Sequence, residues 1–507
     1  MSAAADSPAA RRQRRALSRA AAQAAASAVS QSALTAGRPA AIASPASPSA
    51  GVSSTANSAT GTVPTRKRSR TAAAAGVQPV RLRCATVADH AAIEELLSSV
   101  GPAAGRDWLA ASLEHPDYQP AQRLLVDRGG SVLAHVHLQP RSMLLGAAQI
   151  PLGVLSQLVA LPEPPGPSYD AALVRAAIRV LTQRKVPLSL LATRDAGRYE
   201  AFGWTECPGS SAVQTSTRSL LSRLAMRGVH SESCALNIRP WRQIELPALT
   251  ELHALNTAGS AGSLVRDERD WRWLIATGLF DRIYVALATA AEIDGQQPRV
   301  AAYAVIRDDR ILELMEVPAG PGAASAAIAG PGSHARVPGA AEHLLARIAS
   351  ESIERDSHAL RLHSPHVRRL QHLFADGATA GTGGRQLLAR VNDPALLLRQ
   401  LEGELLQRAA RGGLSLPCEI GLDAAPLKLL VRLSRRGLQL RVGKLGRSYL
   451  RTNQSTLARL LLGMVPAAEV VESGKLFAST RLALETAQIL FPALEFWSSP
   501  WDHVDGY

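Results

Sequence analysis

Hydrophobic and polar positions fall into three patterned blocks, preceded by a stretch with no such pattern. In the first block, Val80-Arg81-Leu82-Arg83-Cys84 alternates with period two, as a half-buried strand does. Thr86-x-x-Asp89 reads as a capping box, and Ile93, Leu96 and Leu97 behind it share one helical face. Arg123–Asp127 and Ser131–Leu138 predict a hairpin around Arg128-Gly129-Gly130. Ala148–Leu161 predicts a long strand interrupted at Gly153. A proline-rich loop, Pro162 to Pro167, then leads into a helix over Ser168–Arg184. Its inward face is Leu173, Ala177, Val180 and Leu181. Pro187–Leu191 and the stretch from Ser211 to Thr217 predict the closing strands. The order β-α-β-β-β-loop-α-β requires a mixed central sheet with helices on its faces.

The second block repeats that order without obvious sequence identity. Leu236–Arg239 is strand-like, and Pro247–Leu255 and Arg269–Leu274 are helical. Ile283–Ala288, Val300–Arg307 and Ile311–Val317 predict strands. A Gly/Ala/Pro stretch, Ala319 to Gly339, separates them from a helix over Ala340–Ile353 and a strand over Ala359–His363. The third block differs. Leu396–Ala409 predicts one amphipathic helix. Cys418–Leu422, Leu427–Ser434 and Leu438–Val442 predict antiparallel strands, and Gln454–Leu462 and Leu482–Leu490 predict helices. Strands followed by a helical end make a small α+β domain. The expected organisation is a tail over 1–76, a first domain over 77–232, a second over 233–394 and a third over 395–507. The fold class is α/β (α+β), with tandem mixed sheets.

The unpatterned stretch changes how the charge is read. The formal net charge is +14, but residues 1–76 carry ten Lys/Arg against the single acid Asp6. The basic character therefore belongs mostly to the tail. Rich in Ala, Ser, Thr and Pro, this tail cannot bury enough surface to offset its ordering entropy, so disorder is expected. Its arginine clusters, Arg11–Arg15 and Arg66–Arg70, suit weak, salt-sensitive contact with nucleic acid or anionic surfaces. No apolar h-region follows Arg-Arg-Gln-Arg-Arg, which excludes a secretory-signal reading. No apolar run reaches the roughly 20 residues a membrane span needs, so a soluble protein is expected. Cys84, Cys207, Cys234 and Cys418 are far apart and lack zinc spacing. They predict reduced thiols, no metal site and a cytoplasmic location.

The sharpest chemical signal is Arg198-Tyr199-Glu200-Ala201-Phe202-Gly203-Trp204, just after the apolar run Val186 to Ala192. A tyrosine three residues before Phe-Gly-aromatic, at the end of a β-α-β pattern, resembles the GNAT superfamily of acyl-CoA N-acyltransferases. The resemblance implies that Tyr199 faces the sulfur of the departing coenzyme A and donates a proton to it. The plain alternative is that Tyr199, Phe202 and Trp204 only pack against the sheet. The resemblance further implies that the strand in the position of Ile150–Ala160, chiefly Leu158, Val159 and Ala160, lines up the pantetheine arm with its backbone. The following loop, here Pro165-Gly166-Pro167-Ser168-Tyr169-Asp170, would cradle the pyrophosphate through Gly166, Ser168 and Tyr169. This loop departs from the family pattern. Pro165 replaces a basic or amide residue, Pro167 removes an N–H donor, and Asp170 brings negative charge.

The general base is not legible. His135, His137 and Gln157 lie on or near the central strands, and each is read first as a satisfied sheet residue. The second block lacks both the phosphate loop and the tyrosine motif, with His372 to Gly377 in that neighbourhood, and resembles a non-catalytic GNAT copy. The third block is similar to the sterol-carrier-like domain that closes one subfamily. The features are the Leu427–Val442 hairpin, Leu457 to Gly463, and the ending Leu490-Phe491-Pro492 through Trp501-Asp502. Together the order resembles the Eis-like N-acetyltransferases. That resemblance implies acetyl-CoA as co-substrate, a homo-oligomer, and a terminal carboxylate, here Tyr507, acting as base. The acceptor would be an amine-bearing small molecule or a protein amine. The competing expectation is a GNAT-fold binding or scaffold protein, catalytically decayed, with a lipid-like or protein ligand.

Overall fold

The computed structural model describes residues 79–100, 104–162, 169–208, 213–229, 236–288, 299–318, 337, 339–364, 367–374 and 386–506. The basic tail, Gly166, Ser168 and Tyr507 lie outside the described residues.

Three sheets carry the fold. The first runs Val80–Cys84, Arg123–Arg128, Ser131–Leu145, Ala148–Ala160, Leu188–Thr193, Gln386–Val391 and Thr205–Glu206, and Ala261–Leu264 pairs with the far end of Ser131–Leu145. The second runs Val213–Ser216, Ala359–Leu362, Arg310–Glu316, Arg299–Arg307, Arg282–Ala288 and Leu236–Pro240. The third runs Gly437–Val442, Leu427–Ser434, Cys418–Ala424, Tyr449–Arg451 and Phe477–Ala478. Each sheet is mixed: it holds one parallel pair among antiparallel ones. No described helix is long and apolar enough to cross a membrane.

Two strands sit where sequence order would not put them. Val213–Ser216, expected to close the first sheet, pairs instead with Ala359–Leu362 in the second. The vacated slot is filled by Gln386–Val391, from beyond the second sheet's last strand, which pairs with both Leu188–Thr193 and Thr205–Glu206. The two units are thus interlocked by strand exchange.

The helices bury the faces their periodicity predicts. Tyr169–Gln183 turns Leu173, Val174, Ala177, Val180 and Leu181 onto the first sheet. On the opposite face, His90–Val100 and Ala104–Leu113 cover Leu125 and Val132 with Ile93, Leu97 and Leu109. The third sheet and its helices merge with the lower half of the first sheet in one core, from Leu152 and Leu190 to Leu405, Leu429 and Phe496. The stretch expected as one helix over Leu396–Ala409 is two, Pro394–Gln400 and Glu402–Arg411. At Leu401 ψ is 1°, well off the helical value, and the axis turns while this fully buried side chain stays in the core.

The interruption expected at Gly153 is elsewhere. Gly153 keeps regular pairing with Pro140 and Ser189. It is glycine because a Cβ there would meet Leu181 Cδ2 at 2.5 Å, so the helix can lie close on the sheet. The break falls at Gln157, whose φ is +51° and where the register against His135 and His137 shifts. This is a β-bulge: an extra residue that bends the strand and re-aims the residues beyond it.

Candidate active site

The bulge sits where two parallel strands part. Leu152 to Leu155 pair with Leu188 to Leu191, and the pairing ends there. Ser156–Ala160 continues without a partner from Leu188–Thr193, while still pairing with Ser131–Leu145 on its other edge. A sheet that opens between two parallel strands exposes main-chain donors and acceptors on its inner edge. Leu158, Val159 and Ala160 lie on that edge, all partly exposed.

Tyr199 stands on the far wall. It lies in the short helix Gly197–Glu200, directly after Leu188–Thr193, and is 8% exposed. It packs in the cluster that contains Leu155, Tyr169, Leu191 and Trp204, with Leu158 and Ala160 against it. Burial raises its pKa, Arg198 opposes that, and Asp170 adds to it, so the phenol stays protonated at neutral pH. Gly203 has φ +79°, a left-handed turn that a side chain would strain. The Phe-Gly-Trp half of the motif therefore has a structural cause of its own.

Tyr169 opens the helix behind the loop, but its side chain is buried and its hydroxyl accepts from Arg128 Nη2 at 2.7 Å. Asp170 sits in the same first turn, accepts from the Ala171 N–H at 2.8 Å and pairs with Arg198. The positive end of this helix already holds a carboxylate.

On the opposite face of the opened strand lies a buried polar cluster that sequence reasoning missed. Arg123 is fully buried. Its Nη1 donates to Gln157 Oε1 at 2.6 Å and to His135 Nε2 at 3.0 Å, its Nη2 to Ser112 Oγ at 2.5 Å, and its Nε to Tyr118 Oη at 3.1 Å. All four partners are neutral, and among the described residues no carboxylate pairs with it. Tyr118 hands its own proton on to His90 Nε2, 2.8 Å away. The guanidinium thus pins the bulge residue from below. The one available signal was parity: Arg123 shares the inward face of its strand with Leu125, where a cation is unusual.

That cluster separates the two histidines. His135 Nδ1 donates to the Gln157 carbonyl at 3.0 Å, and its Nε2 lone pair is occupied by Arg123. It has no basic nitrogen to offer. His137 Nε2 faces Gln122 Oε1 at 3.4 Å, and its Nδ1 faces Ser156 Oγ at 3.4 Å. Gln122 Nε2 donates to the Asp117 carbonyl, which fixes Oε1 as the acceptor toward His137. The His137 proton is therefore on Nε2, and the Nδ1 lone pair points to Ser156, the first residue past the parting of the strands. Burial, then Arg123, pushes both histidines well below their usual pKa, so both are neutral.

A second ionic cluster ties the chain's end to this region. Arg266, fully buried, donates through Nε and Nη2 to Asp502 at 2.8 and 2.9 Å, and through Nη2 to Glu313 at 2.5 Å. It lies over the rings of Trp271 and Trp501, 5.0 and 5.2 Å from their centroids. Arg141, on the long strand Ser131–Leu145, donates to Asp270 at 2.5 Å and lies 3.9 Å from Asp502. Burial would raise the Asp270 carboxyl, but the His115 hydrogen bond and Arg141 hold it down at about 2. Asp502 is thus anchored five residues before Tyr507. Among the described residues no group of His, Cys, Asp or Glu could hold a metal ion.

The fold is shared with solved N-acetyltransferases. A GCN5-related N-acetyltransferase from Anabaena variabilis ATCC 29413 is similar with a TM-score of 0.57 at 14% identity, over 83% of this chain and 99% of that one. One from Kribbella flavida gives 0.57 at 14%, over 83% and 98%. The chain therefore has the GNAT N-acetyltransferase fold. Eis1 from Mycobacterium abscessus is similar with a TM-score of 0.51 at 13% identity, over 83% of this chain and 99% of that one. No protein-family model matches the sequence, and no curated protein matches it.

Proposed function

We propose that the chain is an acyl-CoA-dependent N-acyltransferase that moves an acetyl group from coenzyme A to an amine by direct attack. The observation that carries this reading is the opening of the first sheet at Leu155/Leu191, with a bulge at Gln157 and Tyr199 on the far wall. A thioester laid along Leu158, Val159 and Ala160 gains main-chain partners from the unpaired edge. The amine nitrogen forms the C–N bond as the C–S bond breaks, and the thiolate takes a proton from the Tyr199 phenol. His137 Nδ1, reached through Ser156, is one acceptor for the proton lost by the amine, and a weak one, because burial and Arg123 hold its pKa well below the usual value. The terminal carboxylate of Tyr507, five residues after Asp502 in sequence, is the alternative acceptor. The acceptor is an amine-bearing small molecule or a protein amine, and the acting form is a cytoplasmic homo-oligomer.

One observation favours a second reading, a binding protein on the same fold. Asp170 occupies the helix N-terminus that a pyrophosphate would use. Calorimetric titration with acetyl-CoA separates the two. Binding that is lost when residues 162–170 are replaced by a Gly/Ser spacer supports the enzyme. Absence of binding up to millimolar acetyl-CoA ends that reading and leaves the second.

A further inference from the structure

Behind the Tyr199 segment, between the exchanged strand Gln386–Val391 and the third sheet, lies a cavity of about 440 Å³. That is within the range of small-molecule sites. Its apolar walls are Val391, Leu427, Val442, Leu457, Ala458 and Leu461. Two cations line it, Arg390 and Lys428, and no carboxylate does among the described residues.

Arg390 is the informative residue. It is half-buried; its Nε donates to the Phe202 carbonyl at 2.8 Å and its Nη1 to Asn392 Oδ1 at 2.6 Å. Both acceptors are neutral, and no described carboxylate forms an ion pair with it. Burial alone pushes its pKa down. A half-buried cation that faces a cavity without a counter-ion favours an anionic occupant. The rim agrees: Lys428 is exposed and has no ion-pair partner among the described residues, and Val442, 73% exposed, leaves apolar surface at the mouth. Arg390 is the one half-buried cation of this cavity, with Lys428 out at the exposed mouth, so a single charge is set against the head group, and a carboxylate matches it.

We propose that this cavity binds a single-chain amphiphile with a carboxylate head, its head on Arg390 and Lys428 and its tail among Leu427, Leu457 and Leu461. The site is distinct from the opened strands of the first sheet. The proposal stands whether or not the chain transfers acyl groups.

The test is calorimetric titration of the full chain with decanoate, decanol, decyltrimethylammonium and decyl phosphate, each below its micellar concentration. Saturable binding of decanoate is expected, about tenfold or more tighter than decanol, since a charge-assisted hydrogen bond is at stake. Decyltrimethylammonium should bind no better than decanol. Lys428→Glu, at an exposed position, keeps the fold and should weaken decanoate severalfold while leaving decanol unchanged. Arg390→Gln, with its circular dichroism checked against the parent, should erase the preference for decanoate over decanol. Equal affinity for decanoate and decanol, or no saturable binding of either, overturns the site. Decyl phosphate binding tighter than decanoate overturns the carboxylate assignment. Decanoate affinity unchanged by Lys428→Glu overturns the head-group placement.

Discussion

Asp502→Asn probes the anchor that holds the chain's end against the first two units. In the parent, both Asp502 oxygens accept from Arg266, at 2.8 and 2.9 Å, and all three groups of the cluster are buried. Asparagine keeps one acceptor and turns an NH2 toward the guanidinium. One charge-assisted hydrogen bond is lost, about 1.5–3 kcal/mol. Arg266 still has Glu313, so the full cost of an orphaned buried charge, about 3–5 kcal/mol, is not reached. The expected loss is about 2–3 kcal/mol. At about 2–4 °C per kcal/mol for a unit of this size, the melting temperature falls by roughly 4–12 °C. Near-UV circular dichroism is the suitable assay, because Trp271 and Trp501 both pack on Arg266 and report its surroundings. Asp502→Asn combined with Glu313→Gln leaves Arg266 without any carboxylate and should cost more than the two single changes added. A single variant that melts within about 1 °C of the parent, given the same scale, would refute the idea that this ion pair secures the terminus.

Tyr199→Phe keeps the packing and removes the proton donor; acyl transfer should slow by about 10²–10⁴-fold with little change in thermal stability. An unchanged rate in single-turnover assays would return Tyr199 to a packing role. Histidines held down by burial set the pH response: His135 and His137 lie well below their usual pKa, His363 and His503 at about 4 and His253 at about 3, burial being the largest cause in each. A depressed histidine contributes stability that is present above pH about 6.5 and is lost as pH falls toward the folded-state value. Urea melts from pH 7.5 to 4.5 should therefore show steadily falling stability, and a flat profile would contradict the neutral, buried assignment. Gly153→Val drives methyl groups into Leu181, where a Cβ alone already meets Cδ2 at 2.5 Å, and should destabilise by about 1–3 kcal/mol in thermal melts. A neutral result there would mean that the helix Tyr169–Gln183 can move off the sheet.

Local pattern made most elements legible. Val80–Cys84 alternates, and Leu173, Ala177, Val180 and Leu181 mark one helical face; both survive in the fold because Leu82, Cys84 and that face turn to the same core. The strand exchange was not legible. Val213-Gln214-Thr215-Ser216 is short and polar, and nothing in its composition says which sheet edge it completes. Nor was the bulge, since a positive φ at glutamine leaves no mark in sequence, whereas the glycine at 153 invited the wrong placement. Tyr199 was found because its motif is compact. The Arg123 cluster was not, because Ser112, Tyr118, Arg123, His135 and Gln157 come from separate elements and meet only when the sheet forms.

The exchanged strand also sets a timetable for synthesis. Ser189 and Asn392, hydrogen-bonded neighbours in the finished first sheet, are 203 residues apart in the chain. At roughly 5–20 residues per second, a ribosome needs about 10–40 s to make the residues between them. Throughout that interval Leu188–Thr193 has been made while its neighbour Gln386–Val391 does not yet exist. A hydrophobic strand edge left open for so long is the kind of surface that associates with other nascent chains. Slower elongation, or loss of chaperones that hold the emerging chain, should therefore raise the fraction of newly made protein that pellets as aggregate.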